Sequence, residues 1–216
     1  GEAILTESER DMGIALVDIG GGTTDIAVYL NGGVWHTAAI PTGGNHITGD
    51  LAVGLHCPVE VAEDVKLRFG HCRPGEVGAG ERVRVPGFGR NGSCEISRAD
   101  VVDIVEARVE EIFSIVLREL RRSSYDGLLS AGVALCGGTA NLPGVAELGA
   151  EVLGMPVRVL TPQRVEGLIE VVGEPAHATG AGLLLWGMRQ PEPIDELADV
   201  GLLGKMGRVL RGLLPG

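Results

Sequence analysis

Apolar residues near the start of the chain form short continuous runs, which is the pattern of buried strands. The runs at 14–19, 24–30 and 33–40 are each bounded by turn residues and predict three consecutive strands. Asn31-Gly32-Gly33 separates the second run from the third and is typical of a hairpin turn. The three strands are therefore expected to form an antiparallel meander, with shorter strands predicted at 82–85, 94–96, 131–136 and 157–159.

Farther along the chain, apolar residues recur three and four positions apart, which predicts helices. The longest helix is expected to run from Ser97 to about Arg122, with Ser97 and Asp100 forming a capping-box-like pair at its start. Other helices are predicted after a turn at 41–44, over 58–69, from about residue 142, and over 178–189. The last of these begins with a run of small residues, which predicts close packing, whereas residues 1–12 are expected to be a polar lead-in.

Composition narrows the function classes without changing this α/β pattern. The 216 residues are 44% hydrophobic, which is enough for the core of one or two domains, and no apolar run is long enough to span a bilayer. The net charge of −11 repels a phosphate backbone, so nucleic acid is not an expected partner. The cysteines lack C-x-x-C spacing, which favours free thiols over a zinc site at the His-Cys pairs 56–57 and 71–72.

The most informative stretch is the turn between the first two predicted strands, where Asp18 precedes three glycines and two threonines. Glycines allow positive φ and a close approach of a ligand to the backbone. Consecutive N–H groups in such a turn can bind an anion, and the hydroxyls that follow can donate to phosphate. The alternative is a glycine-rich hairpin, which would need one or two glycines and not three. The stretch therefore indicates a phosphate loop, with Asp18 placed to hold a metal ion or its water.

A second glycine-rich element follows a later apolar strand, at Gly137–Asn141. A helix opening there would offer free N–H donors and a favourable dipole to an anion. Two such loops suggest that one nucleotide is held between them, although each could also be a plain turn. Glu63 and Lys66 share a helix face and could serve the ribose of that nucleotide, or form a surface ion pair of little energetic weight.

Together these motifs resemble the actin/Hsp70-type ATPases and, within that superfamily, the FtsA family of bacterial cell-division proteins. The resemblance rests on Asp-Ile-Gly-Gly-Gly-Thr at 18–23, the stretch 40–50, Glu-x-x-Lys at 63–66, and Leu-Cys-Gly-Gly-Thr-Ala-Asn-Leu-Pro-Gly at 135–144. It extends over nearly the whole chain but covers only the second half of such a protein.

The resemblance implies an α/β fold, namely an actin-like (ribonuclease H-like) ATPase lobe that has a mixed sheet with flanking helices plus a smaller α/β subdomain. Residues 1–42 and 128–190 would form the core subdomain (2A-type), and residues 43–127 an inserted, partner-binding subdomain (2B-type).

An ATP site with Mg²⁺ also follows from the resemblance. Asp18 would take the catalytic position and hold Mg²⁺ through water, in a protein whose ATPase activity is at most weak. The opposite wall of the cleft belongs to the first half of such a protein, so this half alone is expected to be inactive. The nucleotide-binding residues expected are Gly20, Gly21, Gly22, Thr23, Thr24, Glu63, Lys66, Gly137, Gly138, Thr139 and Asn141.

The partners implied by the resemblance are other division proteins. Arg108 and Glu111 match positions that bind the C-terminal tail of FtsZ, and self-association into actin-like protofilaments is expected. The protein would then act at the division septum, on the cytoplasmic face of the bacterial cell membrane.

The end of the chain predicts a membrane contact. Residues 191–199 form an acidic, proline-containing linker, and residues 200–216 an amphipathic helix. An apolar arc opposite a basic arc favours an anionic membrane surface, with a core or partner-packing helix as the alternative. The apolar arc has Leu202, Leu203, Met206, Val209, Leu210, Leu213 and Leu214, and the basic arc has Lys205, Arg208 and Arg211.

The function predicted is that of an ATP-binding, actin-like protein that tethers the FtsZ ring to the membrane. One alternative is an ATP-dependent pilus-assembly scaffold related to FtsA, which would lack the terminal amphipathic helix. Another is a phosphotransferase or hydrolase of the same fold, such as a sugar kinase, which would need a sugar-binding insert.

Overall fold

The computed structural model describes residues 1–78, 80–87, 92–163 and 173–189. The strands of its main sheet are β1 (Ile14–Ile19), β2 (Thr24–Leu30), β3 (Gly33–Ile40), β6 (Val133–Cys136) and β7 (Val157–Val159). They lie in the order β3-β2-β1-β6-β7. The meander β1–β2–β3 is antiparallel, whereas β6 pairs in parallel with β1 and β7 pairs in parallel with β6, which confirms the mixed sheet.

Helices flank this sheet, and a small antiparallel sheet of β4 (Arg82–Pro86) and β5 (Ser93–Ser97) lies beside them. None of the helices in the described ranges is long and apolar enough to cross a bilayer. They are α1 (Glu7–Met12), α2 (Gly44–Gly54), α3 (Val59–Phe69), α4 (Arg98–Ser123), α5 (Val145–Leu153) and α6 (Ala178–Arg189).

Strand β1 is buried on both faces, which explains the unbroken apolar run from Ile14 to Val17. Its residues Ala15, Val17 and Ile19 belong to the larger core cluster, together with the apolar faces of α4 and α5. Ile14 and Leu16 point to the other face, into a smaller cluster with residues from 3–5, β6 and α6. The two clusters hold β1 between them, and the turn that follows it starts from this fixed strand.

The longest helix, α4, carries the core from the main sheet to the small sheet. Its buried stripe includes Val105, Ile112 and Phe113, and the same cluster contains Val83 and Val85 of β4. The larger core cluster contains residues from both sides of the predicted boundary at 127/128, for example Val105 and Leu135. The division into core and inserted subdomains therefore stays a prediction.

The polar lead-in predicted at 1–12 is wrong, because the structure has a helix there. Thr6 caps α1 through a capping box with Glu9, and residues 3–5 before it are buried in the smaller cluster. The Thr-x-x-Glu spacing is a helix-start signal that the sequence offered. The segment of α1 is short because Gly13, at φ 96°, ends it directly before β1.

Other element ends also differ from prediction. Ser97 caps α4 by accepting from the Ala99 amide rather than in a capping box with Asp100. Helix α5 begins at Val145, since residues 138–141 form a separate 3-10 turn first. Strand β6 begins two residues later than predicted, after Gly132 at φ 73°.

Close packing at the start of α6 is achieved by its alanines. Ala178 and Ala181 are buried in the smaller cluster. A Cβ on Gly180 or Gly182 would meet no atom within 4 Å, so these glycines do not mediate the contact among the described residues.

Candidate functional site

Two glycine-rich turns meet at one edge of the main sheet. Strands β1 and β6 are parallel neighbours, so the turns that follow them emerge side by side, at the edge where α/β sheets commonly bind ligands. The hydroxyl of Thr139 donates to the carbonyl oxygen of Gly20 over 3.2 Å and joins the two turns. The first turn is closed by a bond of 2.9 Å from the Gly20 amide to the Thr23 carbonyl.

The start of α2 is bonded to the same first turn. The amides of Gly44 and Asn45 donate to the carbonyl oxygens of Gly20 and Gly21 over 2.9 and 2.8 Å. A Cβ on Gly43 would lie 2.6 Å from the Gly20 oxygen, and one on Gly44 would lie 2.6 Å from the Thr139 hydroxyl oxygen. Glycine at these two positions is therefore what lets the three segments approach.

Gly137 serves the approach of the second turn to Asp18. Its φ of 89° disfavours other residues, and a Cβ there would collide with the Asp18 carboxylate and with the Ile19 carbonyl. Asp18 in turn accepts a hydrogen bond from the Thr179 hydroxyl of α6. Burial, assisted by the nearby Asp18 carboxylate, raises the pKa of Cys136 to about 12.

Glu63 and Lys66 on α3 form an ion pair in which the lysine is buried and the glutamate side chain is 42% exposed. Lys66 is only 8% exposed, and its Nζ lies 2.7 Å from the Glu63 carboxylate. The same ammonium donates to the Gly44 carbonyl over 3.2 Å and to the Thr48 hydroxyl over 2.9 Å. Partial burial acts to raise the pKa of Glu63, but hydrogen bonds from Lys66 and Thr48 hold this pKa below its ordinary value.

A cavity of about 240 Å³ is enclosed by these segments. It is smaller than the roughly 300–1,000 Å³ of typical small-molecule sites, so a nucleotide would occupy it only in part. Of the residues predicted to bind nucleotide, it brings together Gly21, Glu63, Lys66, Gly138, Thr139 and Asn141; its other lining residues are Gly44, Asn45, Leu67, Leu142 and Pro143.

Asp18 and Gly20 lie on the other side of the first turn. They line a larger cavity of about 840 Å³ between the sheet and α6, with Thr179 and Trp186. The turn residues Gly20 and Gly21 are adjacent in sequence but line different cavities, so this turn forms the partition between the two.

The remaining predicted turn residues do not line the small cavity. Thr24 is fully buried, and its hydroxyl donates to the Thr42 carbonyl over 2.8 Å, so in this structure the hydroxyl is engaged within the protein. Gly22 and Thr23 are exposed, and the Thr23 hydroxyl donates to Asp25 over 3.1 Å.

The carboxylate of Asp18 fits the way Mg²⁺ binds beside nucleotides. Mg²⁺ commonly keeps several waters and takes one or two carboxylates together with substrate phosphates. Within the described ranges no group of three or more His, Cys, Asp or Glu residues could form a protein cage for a metal. A single carboxylate acting through water is consistent with that donor set.

The predicted partner-binding residues Arg108 and Glu111 are neighbours on α4. Arg108 also binds a third residue, which sequence reasoning missed. Arg108 Nη1 donates to Glu111 over 2.6 Å. Its Nε and Nη2 donate to the two carboxylate oxygens of Asp50 on α2 over 2.6 and 2.9 Å. The hydrogen bonds to Asp50, with the negative charges of Asp50 and Glu111, raise the pKa of Arg108. Asp50 lies in the 40–50 stretch that carried the resemblance, but 58 positions separate it from Arg108.

The predicted acidic linker at 191–199 and all ten predicted membrane-contacting residues between 200 and 214 lie outside the described residues.

The sequence of the chain matches a known protein family. The family model described as FtsA, cell division protein FtsA, matches residues 15–182. The cell division protein FtsA of Pseudomonas aeruginosa is 44% identical over 188 residues, which are 87% of this chain and 45% of that protein. The chain therefore spans less than half the length of this relative.

Solved structures support the fold. MreB 5 of Spiroplasma citri bound to AMPPNP superposes with a TM-score of 0.66 at 19% identity, over 91% of this chain and 58% of that one. The MamK double helical filament gives a TM-score of 0.60 at 20% identity, over 82% and 55% of the two chains. At such identities the likeness shows the fold alone, and it confirms the predicted actin-like α/β class.

Proposed function

Because the chain belongs to the FtsA family of cell division proteins, we propose that it is the half of an actin-like protein that binds ATP, engages FtsZ and tethers the division ring to the membrane. The observation that carries the nucleotide part is the small cavity, where two turns, the start of α2 and the Glu63–Lys66 ion pair converge. Its place of action is the cytoplasmic face of the bacterial cell membrane, at the division septum.

The nucleotide extends from the small cavity across the first turn toward Asp18. Glu63 and Lys66 serve the ribose, and the turn that contains Gly138 and Thr139 serves the adenosine. The phosphates lie along the first turn, with Asp18 holding Mg²⁺ through water. When bound, Mg²⁺ neutralises phosphate charge. ATP hydrolysis in this proposal is weak at most.

The remaining contacts of the proposed protein use other surfaces. The Arg108 and Glu111 side chains bind the C-terminal tail of FtsZ, and residues 200–216 bind the anionic inner-membrane surface. Self-association into actin-like protofilaments is supported by the likeness to a chain that forms a double helical filament.

The nucleotide proposal is tested by Gly138→Asp in the full-length protein. A Cβ on Gly138 would meet no atom within 4 Å, so the backbone tolerates a side chain there. The new side chain would project beside Thr139 at the cavity wall, where it would take space proposed for the adenosine and place a buried charge against it. We expect calorimetric titration with Mg²⁺ and AMPPNP to show at least a roughly tenfold loss of affinity, about 1.4 kcal/mol.

The matched control is Gly127→Asp, which adds the same charge at an exposed glycine with equally open surroundings outside both cavities. This variant should bind AMPPNP as the wild type does. Wild-type affinity in Gly138→Asp, with both variants equally folded by circular dichroism, would rule out the small cavity as the nucleotide site.

A further inference from the structure

Helix α2 touches both regions that the proposed function uses. Its first residues, Gly44 and Asn45, line the small cavity and donate to the first turn. Asp50 lies six residues after Gly44, about 9 Å along the helix axis. Its carboxylate accepts the hydrogen bonds from Nε and Nη2 of Arg108. One rigid element therefore connects the cavity wall to the arginine on α4.

The body of α2 is held firmly enough to transmit a displacement. Ile47 and Leu51 are fully buried in the larger cluster. Gly54 packs against Ile104 of α4, where an added Cβ would lie 2.7 Å from the Ile104 side chain. A helix packed in this way shifts as a unit, because close-packed interiors transmit strain and do not absorb it.

Asp50 also occupies one edge of the Arg108 guanidinium, the edge with Nε and Nη2. The five N–H groups of an arginine form a planar fork. Asp50 takes one N–H on Nε and one on Nη2, and Glu111 takes one on Nη1. Counting bonds to the described residues, two N–H groups remain, one on Nη1 and one on Nη2. A carboxylate ligand would find the guanidinium already held in one orientation.

We propose that Asp50 is a positioning residue, through which a nucleotide in the small cavity sets how Arg108 is presented to its acidic partner. The proposal rests on the proposed function, because it takes the cavity as the nucleotide site and Arg108 as a partner contact. A bound nucleotide contacts Gly44 and Asn45 and fixes α2, and Asp50 then holds the guanidinium in place. Partner binding no longer has to order that side chain, so it tightens.

The test measures peptide binding to the full-length protein with and without saturating AMPPNP and Mg²⁺. The probe is a fluorescent synthetic peptide of the FtsZ C-terminal tail, followed by anisotropy. For the wild type we expect AMPPNP to tighten peptide binding at least about fivefold, and the peptide to tighten AMPPNP binding by the same factor. In Asp50→Asn the ratio should fall below about twofold while AMPPNP alone still binds.

The control is Asp64→Asn, which removes one carboxylate from an exposed ion pair with Arg68 on α3. It should keep the wild-type ratio, and so should Asp50→Glu, which retains a carboxylate for Arg108. A merely structural role of Asp50 would lower the unfolding midpoint without changing the ratio.

The outcomes separate this proposal from the function beneath it. Equal peptide affinity with and without AMPPNP in the wild type, or an unchanged ratio in Asp50→Asn, would overturn the positioning role alone. Wild-type peptide binding in Arg108→Ala would instead remove the partner contact on which the proposal rests.

Discussion

Gly137 and Gly138 are adjacent glycines for which the structure predicts opposite responses to alanine. Gly137 has a φ of 89°, and its missing Cβ leaves room for the Asp18 carboxylate and the Ile19 carbonyl. Gly138 has an unstrained backbone, and a Cβ there would meet no atom within 4 Å. Gly137→Ala should therefore destabilise the protein, and Gly138→Ala should not.

The magnitude can be worked from two separate costs. A residue other than glycine in a sparsely populated backbone region costs about 1–3 kcal/mol. Forcing a methyl group against close neighbours costs a further 1–3 kcal/mol or so. The sum is at least about 2 kcal/mol, a large share of the roughly 5–15 kcal/mol that holds a domain folded. Gly138→Ala should stabilise by a few tenths of a kcal/mol, because it reduces the entropy of the unfolded chain.

Urea unfolding of the full-length variants, followed by far-ultraviolet circular dichroism, measures the difference. With a slope of about 2 kcal/mol per molar urea, Gly137→Ala should unfold about 1 M earlier than Gly138→Ala. Equal midpoints for the two variants would mean that Asp18 can move away from the second turn without cost. The argument for a fixed Asp18 position would then fail.

Thr24→Val should cost about 1–3 kcal/mol, because it leaves the Thr42 carbonyl without its buried partner, whereas Thr24→Ser should be nearly neutral; urea midpoints compare the two. Hydrogen bonds from Arg122 and His36 lower the pKa of Glu119 to about 2 against the opposing effect of burial. Because this pKa is depressed in the folded state, the stabilisation is complete above about pH 5 and is lost as pH falls toward 2. The difference in melting temperature between wild type and Glu119→Gln should therefore narrow between pH 6 and pH 3, and a constant difference would contradict the assignment.

The strands of the meander and the long helix could be predicted because their signals are local. A strand buried on both faces is expected to read as a nearly continuous apolar run, and β1 does so except at Asp18. A helix on a core must repeat its apolar residues every three or four positions, as α4 does. The missed helix α1 is too short to show a strand-like run or a helical repeat of apolar residues. The capping pair Thr6 and Glu9 is its one local signal.

The site could be predicted in part because glycine clusters identify turns, not the direction of the side chains that follow. Nothing local to Thr24 says that its hydroxyl turns inward to Thr42, since the first residue of a strand can face either side. The Asp50–Arg108 fork joins residues 58 positions apart on two helices, and such a pair depends on how α2 packs on α4. Long-range contacts of this kind follow from the fold, and the sequence pattern does not contain them.

The first turn is where these observations meet, and its peptide orientation bears on the proposed phosphate contact. The C=O and N–H of a trans peptide unit point in opposite directions. The Gly20 and Gly21 carbonyls accept from the start of α2, so the N–H groups of Gly21 and Gly22 point away from that helix. Consecutive N–H groups of this kind form an anion-binding concavity. Helix α2 thus orients the N–H donors of the turn as well as the guanidinium of Arg108. A loss of the bonds from α2 to the turn should therefore weaken both the proposed phosphate contact and the proposed partner contact.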